Sequence, residues 1–234
     1  MNSPKRRRVY LMRHGSVSYF DDEGRPYPPD EVPLNERGRL QTTAAGRLFA
    51  EQKIRFDRVI VSNLPRTIES AQRVLAETGQ QIALEQWPEF QEVRGGVLED
   101  ILDEDLEDAF TGAFSCMAPE HKKFLDGESV GELIDRIHPV IDRLRADTSW
   151  DTVLLVLHGG VNRAVLSYVI TGQRLFLGNL EQAPGCINVM DVGDSATDWV
   201  VHTVNYAPLT PLHAHSRLTT MEEVLHQYRK SRGG

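Results

Sequence analysis

The sequence predicts an α/β fold, a three-layer sandwich with a mostly parallel central sheet flanked by helices. Three observations carry that expectation. Short apolar, β-branched runs alternate with stretches of helical periodicity. The most apolar run, Thr152–Leu157, reads as a central strand covered on both faces. Three runs end in polar clusters where a helix begins, which is where open α/β sheets bind their ligands.

Taken in order, Val9–Met12 is the first strand. Residues 16–33 hold Asp21, Asp22, Gly24 and four prolines (Pro26, Pro28, Pro29 and Pro33), so they form a loop. Asn35 is a fitting N-cap for a helix on which Leu40, Ala44 and Leu48 recur at helical spacing. Arg58–Val61 is a strand. Pro65 suits the first turn of a helix running to about Thr78. Gln81–Trp87 is a short extended segment. Residues 98–126 break the rhythm: acidic, helical in part, interrupted by Gly112 and Pro119, they read as a small insert over the active site at one end of the sheet. Glu128–Arg145 is amphipathic, with Leu133, Ile137, Ile141 and Leu144 on one face. A helix over about Val161–Ile170 follows the central strand. Ile187–Val192 and Trp199–Val204 are strands joined by a turn at Gly193-Asp194, and a short polar helix near Met221–Tyr228 ends the chain. No repeat or low-complexity tract interrupts this, and residues 1–234 read as one domain carrying the insert.

The composition suits a globular protein. Of the 234 residues, 40% are hydrophobic, enough for a sizeable core, and the net charge of −8 argues against a general attraction to nucleic acid or anionic membrane. Two cysteines far apart in sequence, Cys116 and Cys186, predict buried free thiols in a reducing compartment, hence a cytoplasmic protein, rather than a disulfide framework. The apolar run after the N-terminal arginines is too short for a secretory signal, and nothing approaches the about 18 apolar residues of a membrane span. The tetrad Lys5–Arg8 is readable as a nuclear signal or an anion contact; the plainer expectation is a solvated positive arm.

The polar strand ends carry the chemistry. They read Arg13-His14-Gly15, then Ser62-Asn63-Leu64-Pro65-Arg66-Thr67, then His158-Gly159-Gly160-Val161-Asn162-Arg163. Two histidines and at least two arginines therefore converge on one cleft. Arginines present planar forks of donors suited to phosphate oxygens, and helices starting just beyond aim backbone N–H groups at the same anion. His213 and His215 form a His-x-His, but no carboxylate pattern accompanies them and a polar loop is expected. His121, His138, His202 and His226 read as structural or surface residues.

The set "RHG", "LNERGRLQ", "SNLPRT", a downstream glutamate and "LHGG", in this order over roughly residues 9–165, resembles the histidine phosphatase superfamily, also called phosphoglycerate mutase-like. The resemblance implies a phosphomonoester hydrolase in which His14 attacks phosphorus and forms a phosphohistidine that water hydrolyses. It implies that Arg13, Arg66 and His158 clamp the phosphoryl oxygens, with the Gly159 N–H beside them, and that no metal or other cofactor is needed. Arg13 and Arg66 would hold His14 neutral, against an ordinary value of about 6.5. A glutamate a few residues before a glycine would protonate the leaving group, held protonated by neighbouring negative charge; Glu92 fits better than Glu89. One departure stands out. Many relatives place an asparagine on the phosphate from the loop after Arg-His-Gly, where this chain has Phe20; Ser16 or the 21–33 loop is left to compensate.

Two alternatives stand beside the hydrolase: a phosphoglycerate-type mutase, and a non-catalytic phospholigand-binding protein. A mutase must hold a highly anionic bisphosphate, which the acidic run Leu98–Asp108 would repel; a binding protein should have lost catalytic groups that are present here. A small phosphorylated metabolite is the expected partner. A ribazole phosphate, a sugar phosphate and a phosphoprotein all stay open, as does the oligomeric state.

Overall fold

A computed structural model describes residues 5–19, 25, 27–214 and 217–232. Its elements follow in chain order: β1 (Arg7–Arg13), α1 (Glu36–Glu51), β2 (Arg58–Val61), α2 (Pro65–Thr78), β3 (Leu84–Gln86), α3 (Leu106–Thr111), β4 (Met117–Ala118), α4 (Val130–Ala146), β5 (Thr152–Leu157), α5 (Gly159–Thr171), β6 (Phe176–Leu177), β7 (Ile187–Val192), β8 (Trp199–Tyr206) and α6 (Thr220–Arg232). The main sheet runs β3-β2-β5-β1-β7-β8. Strands β3, β2, β5 and β1 are mutually parallel, while β7 and β8 add an antiparallel edge.

Side chains alternate across the strands, so the two faces of the sheet carry different cores. Val9, Leu11, Val153, Leu155 and Leu157 pack with Leu133, Ile137 and Ile141 of α4 and Val161 and Val165 of α5. Tyr10, Met12, Leu154 and Val156 pack on the other face with Ala45 and Phe49 of α1 and Ala71 and Val74 of α2. The sheet is thus covered on both sides, as the continuous apolar run of β5 predicts. Helix α4 opens on a capping box between Ser129 and Glu132, two residues later than its periodicity suggested.

Several local expectations are corrected. Of the stripe Leu40, Ala44 and Leu48, Leu48 packs partly buried against the core while Leu40 is exposed, and α1 buries Gly38, Gln41, Thr42, Ala45, Gly46 and Phe49. Small residues win that face because α1 lies close against α2, where a Cβ on Gly46 would come 3.0 Å from the Val74 Cα. The basic arm is not simply solvated. Arg7 and Arg8 belong to β1; Arg7 is buried, donates to the carbonyls of Arg145 and Asp147 at the end of α4, and lies over the Trp150 ring, while Arg8 pairs with Asp191 at 2.7 Å. Cys116 is exposed, and only Cys186 is a buried thiol. The C-terminal helix is not polar throughout. Its Leu225 and Tyr228 are buried against Leu106 and Phe110, so α6 packs on α3. Strands β4 and β6 form a separate two-stranded ribbon, too short to leave a period in the sequence.

Between residues 98 and 108, the carboxylates of Asp100, Asp103, Glu104, Asp105, Glu107 and Asp108 are exposed to solvent. Their orientation removes the force of the repulsion argument against a bisphosphate. No helix among the described residues is long and apolar enough to cross a membrane.

Candidate active site

Register brings the first and third polar strand ends together. Arg13 lies opposite Leu157 in the β1–β5 ladder, so the next residues, His14 and His158, emerge side by side. Their ring centroids are 5.1 Å apart at an interplanar angle of 65°. Both rings are buried. β2 flanks β5 on its other side, and Arg66 stands in the first turn of α2 just beyond it. His14, His158, Arg13 and Arg66 therefore share the carboxyl end of three adjacent parallel strands.

The backbone of His14 is fixed by its own N–H donating to Leu157 O at 2.9 Å and its carbonyl accepting from Gly185 N at 3.0 Å. Gly15 has no room for a side chain, since a Cβ there would run into the Gly38 carbonyl. The Nδ1–H of His14 donates to Gly15 O at 2.6 Å, which leaves the Nε2 lone pair outward. Burial, then the charges of Arg66 and Arg13, hold the His14 imidazole well below its ordinary range. Burial, Arg66 and His14 do the same to His158. Both rings are neutral at pH 7.

Buried polar atoms normally find partners, so those without one mark a place built for something else. Arg13 Nε, Arg66 Nε and His158 Nδ1 are all buried with no hydrogen-bond partner among the described residues. Arg66 uses Nη1 on Pro29 O at 3.0 Å, which ties the 27–33 loop over it. Ser16 stands at the edge: its N–H donates to Gln41 Oε1 at 2.8 Å and its hydroxyl accepts from Asn35 Nδ2 at 3.3 Å. Gly159, the first residue of α5, packs against the guanidinium of Arg13. Phe20 and His215 lie outside the described residues, while His213 Nε2 donates to Asn205 O at 3.1 Å.

The two glutamates part ways. Glu92 lies at the N-terminus of α5, where its carboxylate accepts from Gly160 N at 3.1 Å, Val161 N at 3.3 Å and Val93 N at 2.9 Å. Backbone donors and a helix N-terminus thus occupy the place where negative neighbours were expected. Glu89 instead faces the surface and pairs with Arg143 at 3.0 Å. Arg136 holds the turn between them, donating to the carbonyls of Glu89 and Gln91 at 2.6 and 2.7 Å while pairing with Glu128.

Sequence reasoning missed Ser62 as a site residue, although it stands in a quoted strand end. Its hydroxyl is 2.7 Å from His158 Nε2. It also missed Thr220, whose hydroxyl accepts from Arg13 Nη1 at 2.8 Å across 207 residues of chain, and which no local pattern announces. No group of three or more His, Cys, Asp or Glu side chains able to hold a metal occurs among the described residues.

The buried histidines make stability depend on pH with a defined sign. An unfolded histidine takes up a proton near pH 6.5, whereas His14 and His158 in the fold do not. Their contribution is complete above pH 6.5 and is lost as pH falls below it, at about 1.4 kcal/mol per pH unit for each ring. Urea unfolding between pH 7 and 5.5 should therefore be less steep in pH for His158→Asn than for wild type, by about that amount. Equal slopes would contradict the buried neutral state.

The signature of the histidine phosphatase superfamily (branch 1) matches residues 9–206. Among characterised proteins, the chain is 30% identical over 166 residues to the 6-phosphofructo-2-kinase/fructose-2,6-bisphosphatase of Gallus gallus, covering 70% of this chain and 33% of that one. It thus spans about a third of the length of the curated relatives it matches. Among solved structures it superposes on a putative alpha-ribazole-5'-P phosphatase from Escherichia coli with a TM-score of 0.66 at 22% identity, covering 85% of this chain and 96% of that one. A phosphoglycerate mutase from Bacillus anthracis gives 0.65 at 20% identity, covering 86% and 94%.

Proposed function

The chain belongs to the histidine phosphatase superfamily (branch 1), and from that premise we propose that it is a metal-independent phosphomonoester hydrolase acting through a phosphohistidine on His14. One observation carries the reading: three buried nitrogens without partners among the described residues, Arg13 Nε, Arg66 Nε and His158 Nδ1, surround a neutral imidazole whose Nε2 is free to attack.

The phosphoryl group sits between the two arginines, in line with His14 Nε2. As the N–P bond forms, the bond from phosphorus to the leaving oxygen breaks, and Glu92 gives that oxygen a proton. A phosphomonoester bound as its monoanion brings this proton with it, since its second ionisation falls near pH ~6. Water then attacks phosphorus, its proton passes to Glu92, and the N–P bond breaks to restore neutral His14. The equatorial oxygens stay under Arg13, Arg66 and His158 throughout, where fixed donors in a buried site stabilise charge without reorganising. The Ser62 hydroxyl, donating to His158 Nε2, sets the tautomer that points an Nδ1–H at the phosphate.

Hydrolysis is favoured over mutase chemistry by the setting of Arg66. Burial lowers the Arg66 pKa, Tyr19, Glu92 and Asp30 oppose that and Arg13 adds to it, so beyond Arg13, already assigned to the first phosphate, the neighbouring charges are acidic rather than cations for a second phosphate. A small phosphorylated metabolite is the proposed substrate class, in a cytoplasmic setting. The relative from Gallus gallus is a bisphosphatase by name, which agrees with this class. A panel of phosphomonoesters assayed for released phosphate tests the reading, with 3-phosphoglycerate isomerisation as the mutase arm. Phosphate release that EDTA leaves unchanged is expected, because arginines and histidines stand where a metal would need carboxylates or thiolates. Isomerisation without release, or activity lost in EDTA and restored by Mg²⁺ or Zn²⁺, would overturn it.

A further inference from the structure

We propose that Thr220, the first residue of α6, is a positioning residue that aims the Arg13 guanidinium at the phosphate, making the C-terminal helix part of the phosphate clamp. The inference rests on Arg13 being a phosphate ligand. Both hydrogens on Arg13 Nη1 are taken by the protein, one by Gln182 O and one by the Thr220 hydroxyl at 2.8 Å. A fork held at one nitrogen by two acceptors cannot turn, so Nε and Nη2 remain for the anion.

The Thr220 hydroxyl is itself oriented. Its oxygen lies 3.1 Å from Glu181 Oε1, and a carboxylate can only accept, so the hydroxyl proton points to Glu181 and a lone pair faces Arg13. Glu181 is fixed in turn by the buried Arg163 at 2.7 Å. Arg163 also donates to the Gly159 and Gly178 carbonyls, which closes the chain of contacts at the start of α5 beside His158. The remainder of α6 is anchored elsewhere, by Leu225 and Tyr228 on α3. Thr220 is thus the point where that packed pair reaches the pocket.

Calorimetric titration with inorganic phosphate tests this without requiring turnover. Thr220→Val should bind phosphate roughly ten- to a hundredfold more weakly, the scale for a lost hydrogen bond to a charged group, while its thermal midpoint changes little. Thr220→Ser, which keeps the hydroxyl, should stay within about twofold of wild type. Should Thr220→Val fail to fold, Thr220→Ala carries the same expectation. Leu225→Ala loosens α6 with the hydroxyl intact, so it should lower the thermal midpoint more than Thr220→Val but phosphate affinity less. Unchanged affinity in Thr220→Val, equal losses in the valine and serine variants, or a larger loss in Leu225→Ala would overturn the assignment. Wild-type protein that fails to bind phosphate would instead overturn the hydrolase reading on which it rests.

Discussion

Replacing His14 by alanine should remove phosphate release from every phosphomonoester that the wild type accepts, by about 10⁴-fold or more, the scale seen when a covalent nucleophile is deleted. The fold should survive, because the substitution leaves the β1–β5 ladder and the His14 N–H bond to Leu157 O in place. Stability at low pH should even improve relative to wild type, since one buried ring that resists protonation is gone. Inorganic phosphate should still bind, held by Arg13, Arg66 and His158. Steady-state assay and phosphate titration of the same preparation separate lost chemistry from lost binding. Near-wild-type turnover in His14→Ala would end the phosphohistidine account.

The second large effect concerns Glu92, and its size should depend on the leaving group. An alkyl phosphate departs as a strongly basic alkoxide that needs its proton in the transition state, whereas p-nitrophenyl phosphate departs as a stable phenolate. Glu92→Gln should slow alkyl phosphates by about 10²–10⁴-fold, the usual worth of general acid catalysis, and aryl phosphates far less. Glutamine preserves a carbonyl acceptor for the Gly160 and Val161 N–H groups, so the start of α5 should hold. Glu89→Gln should do neither, because it breaks only a surface pair with Arg143, worth roughly 0–1 kcal/mol. Equal losses on both substrate types would reduce Glu92 to a cap on α5. A selective loss in Glu89→Gln would move the acid to that position.

What could be read in the sequence was whatever the chain encodes locally. The short apolar, β-branched runs located β1, β2, β5, β7 and β8 because each must bury at least one face. Pro65 and Asn35 marked helix starts because each satisfies or dispenses with an orphan N–H. The polar ends of three such strands pointed to a shared cleft because parallel strands present their carboxyl ends on one side. The misses have equally physical origins. The spacing of Leu40, Ala44 and Leu48 marked the helix but not its buried face: Leu40 is exposed, and α1 buries glycines and an alanine that no hydrophobic count weighs. Arg7 was assigned to a solvated arm, yet a long side chain can bury its stem and spend its donors on the carbonyls at the end of α4. Ser62 and Thr220 act through hydrogen bonds to residues 96 and 207 positions away, which only the assembled sheet and the returning C-terminal helix bring about.

The most direct test of the account is to locate the phosphoryl group during turnover. Wild-type protein is mixed with an excess of ³²P-labelled phosphomonoester, quenched within the first turnovers, kept at alkaline pH to preserve a phosphoramidate, digested and mapped by mass spectrometry. The account predicts one labelled peptide, carrying the phosphoryl group on His14 and none on His158, and no label at all in His14→Ala. Label on His158 or on a side chain other than His14, or steady phosphate release with no labelled enzyme at any time, would contradict it.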